Sequence, residues 1–147
     1  MYQDNRIKSE DLPNQNMVFE KTTQGITVSV EPVFLDNQSN PSQSHFVWAY
    51  HVIIRNDSAR AVRLRSRYWH ITDARGQIEE VEGDGVVGEQ PLIETGDTYE
   101  YTSGTPLTTS CGLMRGAYVM EIENGETFEV DIPLFSLDSP YQNHVIH

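Results

Sequence analysis

A chain of 147 residues with one cysteine and a net charge of −12 can support one folded core. It is too acidic for non-specific binding to nucleic acid or an acidic membrane. The lone Cys111 excludes an internal disulfide, no apolar run approaches the roughly 20 residues of a membrane helix, and Met1–Gln15 lacks a secretory apolar stretch. Together these features predict a cytoplasmic protein that stays out of the membrane.

Met1–Gln24 is polar and poorly patterned and is expected to be a flexible extension; Asp138–His147 reads as a tail, leaving Gly25–Leu137 as the folded domain. The charge is unevenly placed. Residues 1–73 carry eight Lys/Arg and eight Asp/Glu, whereas residues 74–147 carry two against fourteen, so the whole deficit lies in the second half. Solvation of an acidic surface is its simplest consequence.

The patterning is that of β-strands. GITVSVEPVF places Ile26, Val28, Val30 and Phe34 on one face. After the polar loop Asp36–Ser44, HFVWAYHVIIRN aligns Phe46, Trp48, Tyr50, Val52 and Ile54, and its second face, with Val47, Ala49 and Ile53, is also apolar. Such a strand is expected to be covered on both sides or to lie near a partner surface. In VRLRSRYWHITD, Val62 and Leu64 share one parity and Trp69 and Ile71 the other, which predicts a bulge near Ser66–Arg67 that re-aims an arginine. DARGQ then reads as a turn, IEEVEG and DTYEYTS as strands, and GAYVMEIENGETFEVDIPLF as a hairpin with Tyr118, Met120, Ile122, Phe128, Val130 and Ile132 inward. Asn124-Gly125 supplies that hairpin's positive-φ turn. No ten-residue window has helical periodicity. About seven short strands separated by turn residues predict an all-β antiparallel sandwich or barrel.

The segment Val81–Pro91, VEGDGVVGEQP, contains the spacing GxGxxG at Gly83, Gly85 and Gly88. A dinucleotide-binding loop of that spacing opens a helix whose N-terminus meets the pyrophosphate. Here proline and β-branched residues follow and no helix is available, so NAD and FAD are excluded and no cofactor is expected. A glycine-rich nest of N–H groups can bind an anion without a helix. Glu79, Glu80, Glu82, Asp84 and Glu89 crowd this one, with a net repulsion of about 2 kcal/mol for pyrophosphate after screening. Cations must then sit opposite. Arg63, Arg65 and Arg67 alternate on the neighbouring strand, flanked by Arg60 and Arg75, and together with the glycine loop they form the candidate anion site. The same stripe equally suits a charged sheet surface that prevents aggregation.

The histidines match no zinc pattern, and Cys111 has neither a base nearby in sequence nor a helix N-terminus to activate it. No nucleophile motif or acid–base constellation is present, which points away from an enzyme.

The run from Leu64 to Tyr118 resembles the ApaG family, also called DUF525. GEQP after GVVG, YTSGTPL, MRGAY and the closing VDIPLFSLDSP carry the resemblance, which extends over about Gly25 to Pro140; Thr105 stands where cysteine is common in the family. The resemblance implies an immunoglobulin-like or fibronectin type III-like sandwich. It also implies a link to cobalt and magnesium homeostasis and, from related domains in F-box and polymerase-delta-interacting proteins, a binding-module role. Gly83, Gly85 and Gly88 match a family motif for which nucleotide or pyrophosphate binding is proposed.

Two functions follow as expectations. The first is a non-enzymatic module that binds a protein partner through a surface including Trp48, Tyr50, Tyr101, Ser103 and Arg115. The alternative is a binder of pyrophosphate or a nucleotide between the glycine loop and the arginine strand.

Overall fold

Each long strand carries one buried face because its apolar residues recur every second position. In the computed structural model, which describes residues 17–141, nine strands form two antiparallel sheets: β1 (Phe19–Thr23), β2 (Ile26–Phe34), β3 (Phe46–Asn56), β4 (Val62–Asp73), β5 (Ile78–Asp84), β6 (Leu92–Ile93), β7 (Thr98–Leu107), β8 (Gly112–Glu121) and β9 (Thr127–Leu137). The first sheet has the order β1-β2-β3-β7. The second runs β5-β4-β8-β9, with β6 also paired to β4. The seven expected strands are all present; β1 and the two-residue β6 are additional.

The inward faces meet in one core. Ile26, Val28 and Val30 of β2 and Trp48, Val52 and Ile54 of β3 pack with Leu64 of β4, Tyr118 and Met120 of β8, and Val130 of β9, all at most 1 % exposed. Val47, Ala49 and Ile53 on the other face of β3 are only half-buried. Of the two expected arrangements, cover on both sides or a nearby partner surface, the first is not seen among the described residues.

Both expected domain boundaries move outward. FEKTT forms β1, pairing Thr23 with Ile26 across a turn in which Gln24 and Gly25 both have positive φ. Its lack of alternation is that of an edge strand held by backbone bonds, with Phe19 as its one contact to the core. At the other end, Trp48 Nε1 donates to the Asp138 carbonyl at 2.8 Å, Ser139 is buried, and the Tyr141 ring lies 6.0 Å from that of Phe34. The rest of both expected tails, residues 1–16 and 142–147, lies outside the described residues.

The bulge in β4 falls between Leu64 and Ser66, making Arg65 the extra residue, slightly earlier than expected. A second register shift, between Met114 and Gly116, bends β9 at Pro133–Leu134. In the β8–β9 turn only Gly125, not Asn124, has positive φ, because the connection is a three-residue loop closed by Ile122 N–H to Glu126 O at 2.9 Å.

The two long sides of the sandwich differ. At the β1/β9 side, Phe19 stacks on Phe135 and Lys21 pairs with Asp131 at 2.9 Å. At the β7 side the contacts between the sheets include polar ones: Tyr101 of β7 and Tyr118 of β8 share a hydrogen bond at 2.5 Å, and Tyr99 of β7 donates to Glu89 in the β5–β6 loop.

Candidate functional site

The glycine loop joins β5 to β6, and both strands pair with β4, so the loop and the arginine strand are neighbours as expected. Their bonding is not that of an anion site. Arg67 Nη1 donates to the carbonyls of Asp84 and Gly85 at 3.1 and 2.9 Å. Arg63 Nη1 donates to the Gln90 carbonyl at 2.8 Å, and Arg65 to Gln90 Oε1 and the Glu121 carboxylate. In return, Gln90 Nε2 donates to the Arg65 carbonyl. The N–H groups of Gly85, Val86 and Glu89 all donate within the protein. Guanidinium donors and loop amides thus face each other's carbonyls, which makes the pair a clamp.

Each glycine of the motif has its own structural reason. Gly83 is the cross-strand partner of Arg67, and a Cβ there would lie 2.8 Å from Arg67 Nη1, so its absence gives the guanidinium its bed. Gly85 has φ +62°, and a Cβ would fall 2.1 Å from the Glu89 carbonyl oxygen. Gly88 has φ +83° in open space; with Val87 at φ +41° it makes the two-residue turn between Val86 and Glu89. Val87 is a β-branched residue in a left-handed conformation, 57 % exposed.

The bulge separates the three arginines. Arg63 and Arg65 line a groove with Arg60, Leu92 and Glu121 on the outside of the second sheet. Arg67 is turned to the parity of Trp69, on the side of Tyr50, Tyr101 and Tyr118, whose phenols are pushed up by burial against the smaller opposing pull of this guanidinium. Burial outweighs that effect: all three phenols are raised above the usual tyrosine value and stay protonated at neutral pH. Ser103 is the cross-strand partner of Tyr50.

That arrangement redistributes the expected interaction surface. Trp48, Tyr50 and Tyr101 are 1, 5 and 8 % exposed and belong to the core, because they share the inward parity of their strands. Ser103 is half-buried beside Tyr50. Arg115 alone of the five is exposed, on the outer face of the second sheet.

That outer face is ordered by register. Ile78, Thr72, Leu113 and Ser136 form its first row, Glu80, His70 and Arg115 the second, Glu82, Tyr68, Ala117 and Asp131 the third, and Asp84, Ser66, Val119 and Glu129 the fourth. The bend in β9 turns Leu134 outward opposite Arg115. Ile78, Leu113 and Leu134 are 60, 46 and 57 % exposed. Rows three and four enclose an open groove of about 680 Å³ whose floor includes Ser66, Gly116 and Ala117 and whose rims carry Glu82, Asp84, Glu129 and Asp131. Gly116 has the inward parity of β8, and a Cβ there would be 2.1 Å from the Tyr68 carbonyl oxygen and 3.2 Å from the Trp69 ring. Tyr68 donates to Glu80 at 2.5 Å.

Sequence reasoning missed Gln90, Tyr118 as a polar partner, Glu121 and the exposed Leu134. Pro133 within a strand was the one available sign that β9 breaks its alternation there. Among the described residues no three His, Cys, Asp or Glu side chains converge to hold a metal, and no helix is long and apolar enough to cross a membrane.

Comparison with known proteins agrees with this architecture. The ApaG domain, DUF525, matches residues 36–122. Protein ApaG of Parvibaculum lavamentivorans is 55 % identical over 130 residues, covering 88 % of this chain and all of the relative. Protein ApaG of Rhizobium meliloti is 58 % identical over 123 residues, 84 % of this chain and 95 % of the relative. The crystal structure of a Bordetella pertussis protein described as ApaA superposes with a TM-score of 0.77 at 46 % identity, covering 84 % of this chain and 98 % of that one. With the glycine clamp, the re-aimed arginine and the sandwich in place, the chain belongs to the ApaG domain family.

Proposed function

We propose that this protein is a non-enzymatic interaction module that binds a protein partner through the outer face of its second sheet. The observation that carries this reading is the grouping of Ile78, Leu113 and Leu134, three large apolar side chains left roughly half exposed or more within two rows of one face. Leu113 and Leu134 are diagonal neighbours across β8 and β9, close enough to be covered by a single partner side chain. Arg115, named from the sequence as part of the contact surface, stands between them and the groove. On this reading a link to cobalt and magnesium homeostasis is exercised through the bound partner. Cytoplasmic residence fits the same role.

The alternative, pyrophosphate or nucleotide binding between the glycine loop and the arginine strand, has less support. Arg67 faces away from Arg63 and Arg65, and the loop amides of Gly85, Val86 and Glu89 are already bonded.

The test is capture of partners from cell extract by the wild-type chain and by Leu113→Glu/Leu134→Glu, with folding of both checked by circular dichroism. The variant is expected to lose the proteins that the wild type retains. Equal capture by a folded variant contradicts the use of this face. Metal-dependent turnover of nucleotides that vanishes in Arg67→Ala would contradict the non-enzymatic reading.

A further inference from the structure

The two acidic rims of the outer face set the chemistry of what they can hold. The four-stranded core of the second sheet puts β5 and β9 three strand spacings apart, about 14 Å. Glu82 and Asp84 on β5 therefore cannot share an ion with Asp131 and Glu129 on β9. Along each rim the two acids stand about 7 Å apart, and among the described residues no three His, Cys, Asp or Glu side chains converge to hold a metal ion. Each carboxylate instead suits a separate positive charge on a long side chain. Between the rims stand Tyr68 and Ala117 in the third row and Ser66 and Val119 in the fourth, and the small Ser66 and Ala117 leave room there for an extended backbone. The rows recur every two residues, the period at which side chains of an extended segment recur. Beyond the second row, with Glu80, His70 and Arg115, stand the exposed Ile78, Leu113 and Leu134.

Resting on the reading of this face as an interaction surface, we propose that the partner contributes a basic segment, bound extended along the groove. Its lysines or arginines alternate toward the β5 and β9 rims, and an apolar residue at one end covers Leu113 and Leu134. Charge complementarity favours this occupant over any acidic one. Two groups modulate it. Lys21 already pairs with Asp131 at 2.9 Å, so that rim position exchanges one cation for another. Arg115 and His70 occupy the second row, so the residue facing them is uncharged or presents a carbonyl.

The experiment follows amide shifts of the full-length ¹⁵N-labelled chain during titration with a synthetic octapeptide alternating lysine and threonine and ending in leucine. Its glutamate-for-lysine counterpart and spermine serve as comparison probes. The basic peptide is expected to shift Tyr68, Ala117, Val119 and the rim residues. Asp84→Lys/Glu129→Lys, both at exposed positions, is expected to weaken it by about tenfold or more and to acquire binding of the glutamate peptide. Shifts scattered over other acidic surfaces, equal affinity for the reversed variant, or equal response to spermine would overturn the assignment. If the peptide fails while Leu113→Glu/Leu134→Glu still loses its partners in extract, only the basic-segment assignment falls. If that variant keeps its partners, the face itself is wrong.

Discussion

The two long sides of this sandwich are closed by different means. Where β1 meets β9, Phe19 packs against Phe135 with ring centroids 6.2 Å apart, an apolar contact flanked by the exposed Lys21–Asp131 pair. On the β7 side, Tyr101 and Tyr118 share a hydrogen bond across the sheets and Tyr99 donates to Glu89, while within the second sheet the carbonyls at the start of the glycine loop accept from Arg67. The difference gives the GxGxxG spacing a structural reason. A polar side needs every donor matched, and the glycines let an arginine lie against the backbone that matches it.

The comparison can be broken first by alkali. Tyr50, Tyr101 and Tyr118 have pKa values raised chiefly by burial from the usual value of 10.0. A raised folded value means the native state holds protons that the unfolded state releases. The tyrosine contribution is therefore full below about pH 10 and lost as pH rises through the folded values, at up to about 1.4 kcal/mol per unit for each phenol still protonated. Urea midpoints measured at increasing pH should fall steeply above pH 10, and Tyr101→Phe should flatten the fall. An unchanged slope would place the closure elsewhere.

Next in size is Gly85→Ala, which sets a Cβ 2.1 Å from a backbone oxygen at φ +62°. It should cost about 3 kcal/mol in urea denaturation. Arg67→Ala removes two charge-assisted bonds at a half-buried site and should cost about 2 kcal/mol. Gly83→Ala should cost about 1 kcal/mol in the wild type and almost nothing once Arg67 is alanine, because the guanidinium is what its Cβ meets. Additive losses in that double-mutant cycle would separate Gly83 from the clamp. The smallest effect has the opposite sign: Val87→Asn relieves a β-branched residue at φ +41° and should raise stability by about 1 kcal/mol.

Much of this fold was legible because the inward faces of β2, β3 and β8 alternate strictly, and parity alone placed Ile26, Trp48 and Tyr118 in the core. The same alternation misled where it was read as surface: Trp48, Tyr50 and Tyr101 are large aromatic residues whose parity already assigned them inward. β1 was illegible because an edge strand is specified by backbone pairing, and FEKTT carries one core residue. The β4 bulge was foreseeable from the change of parity between Leu64 and Trp69, and with it the turning of Arg67. What a sequence does not display is which carbonyl an arginine will meet. The clamp joins residues 17 to 27 positions apart through a loop whose acids suggested only repulsion.

The central claim is that the glycine segment is a structural clamp and holds no phosphate. Thermal unfolding of the wild-type chain with and without about 10 mM pyrophosphate, at matched ionic strength, tests it most directly. A site of about 0.1 mM affinity would add about 2.7 kcal/mol to the native state. The account predicts no rise in Tm beyond that of a sulfate control. A pyrophosphate-specific rise that disappears in Arg67→Ala would contradict it.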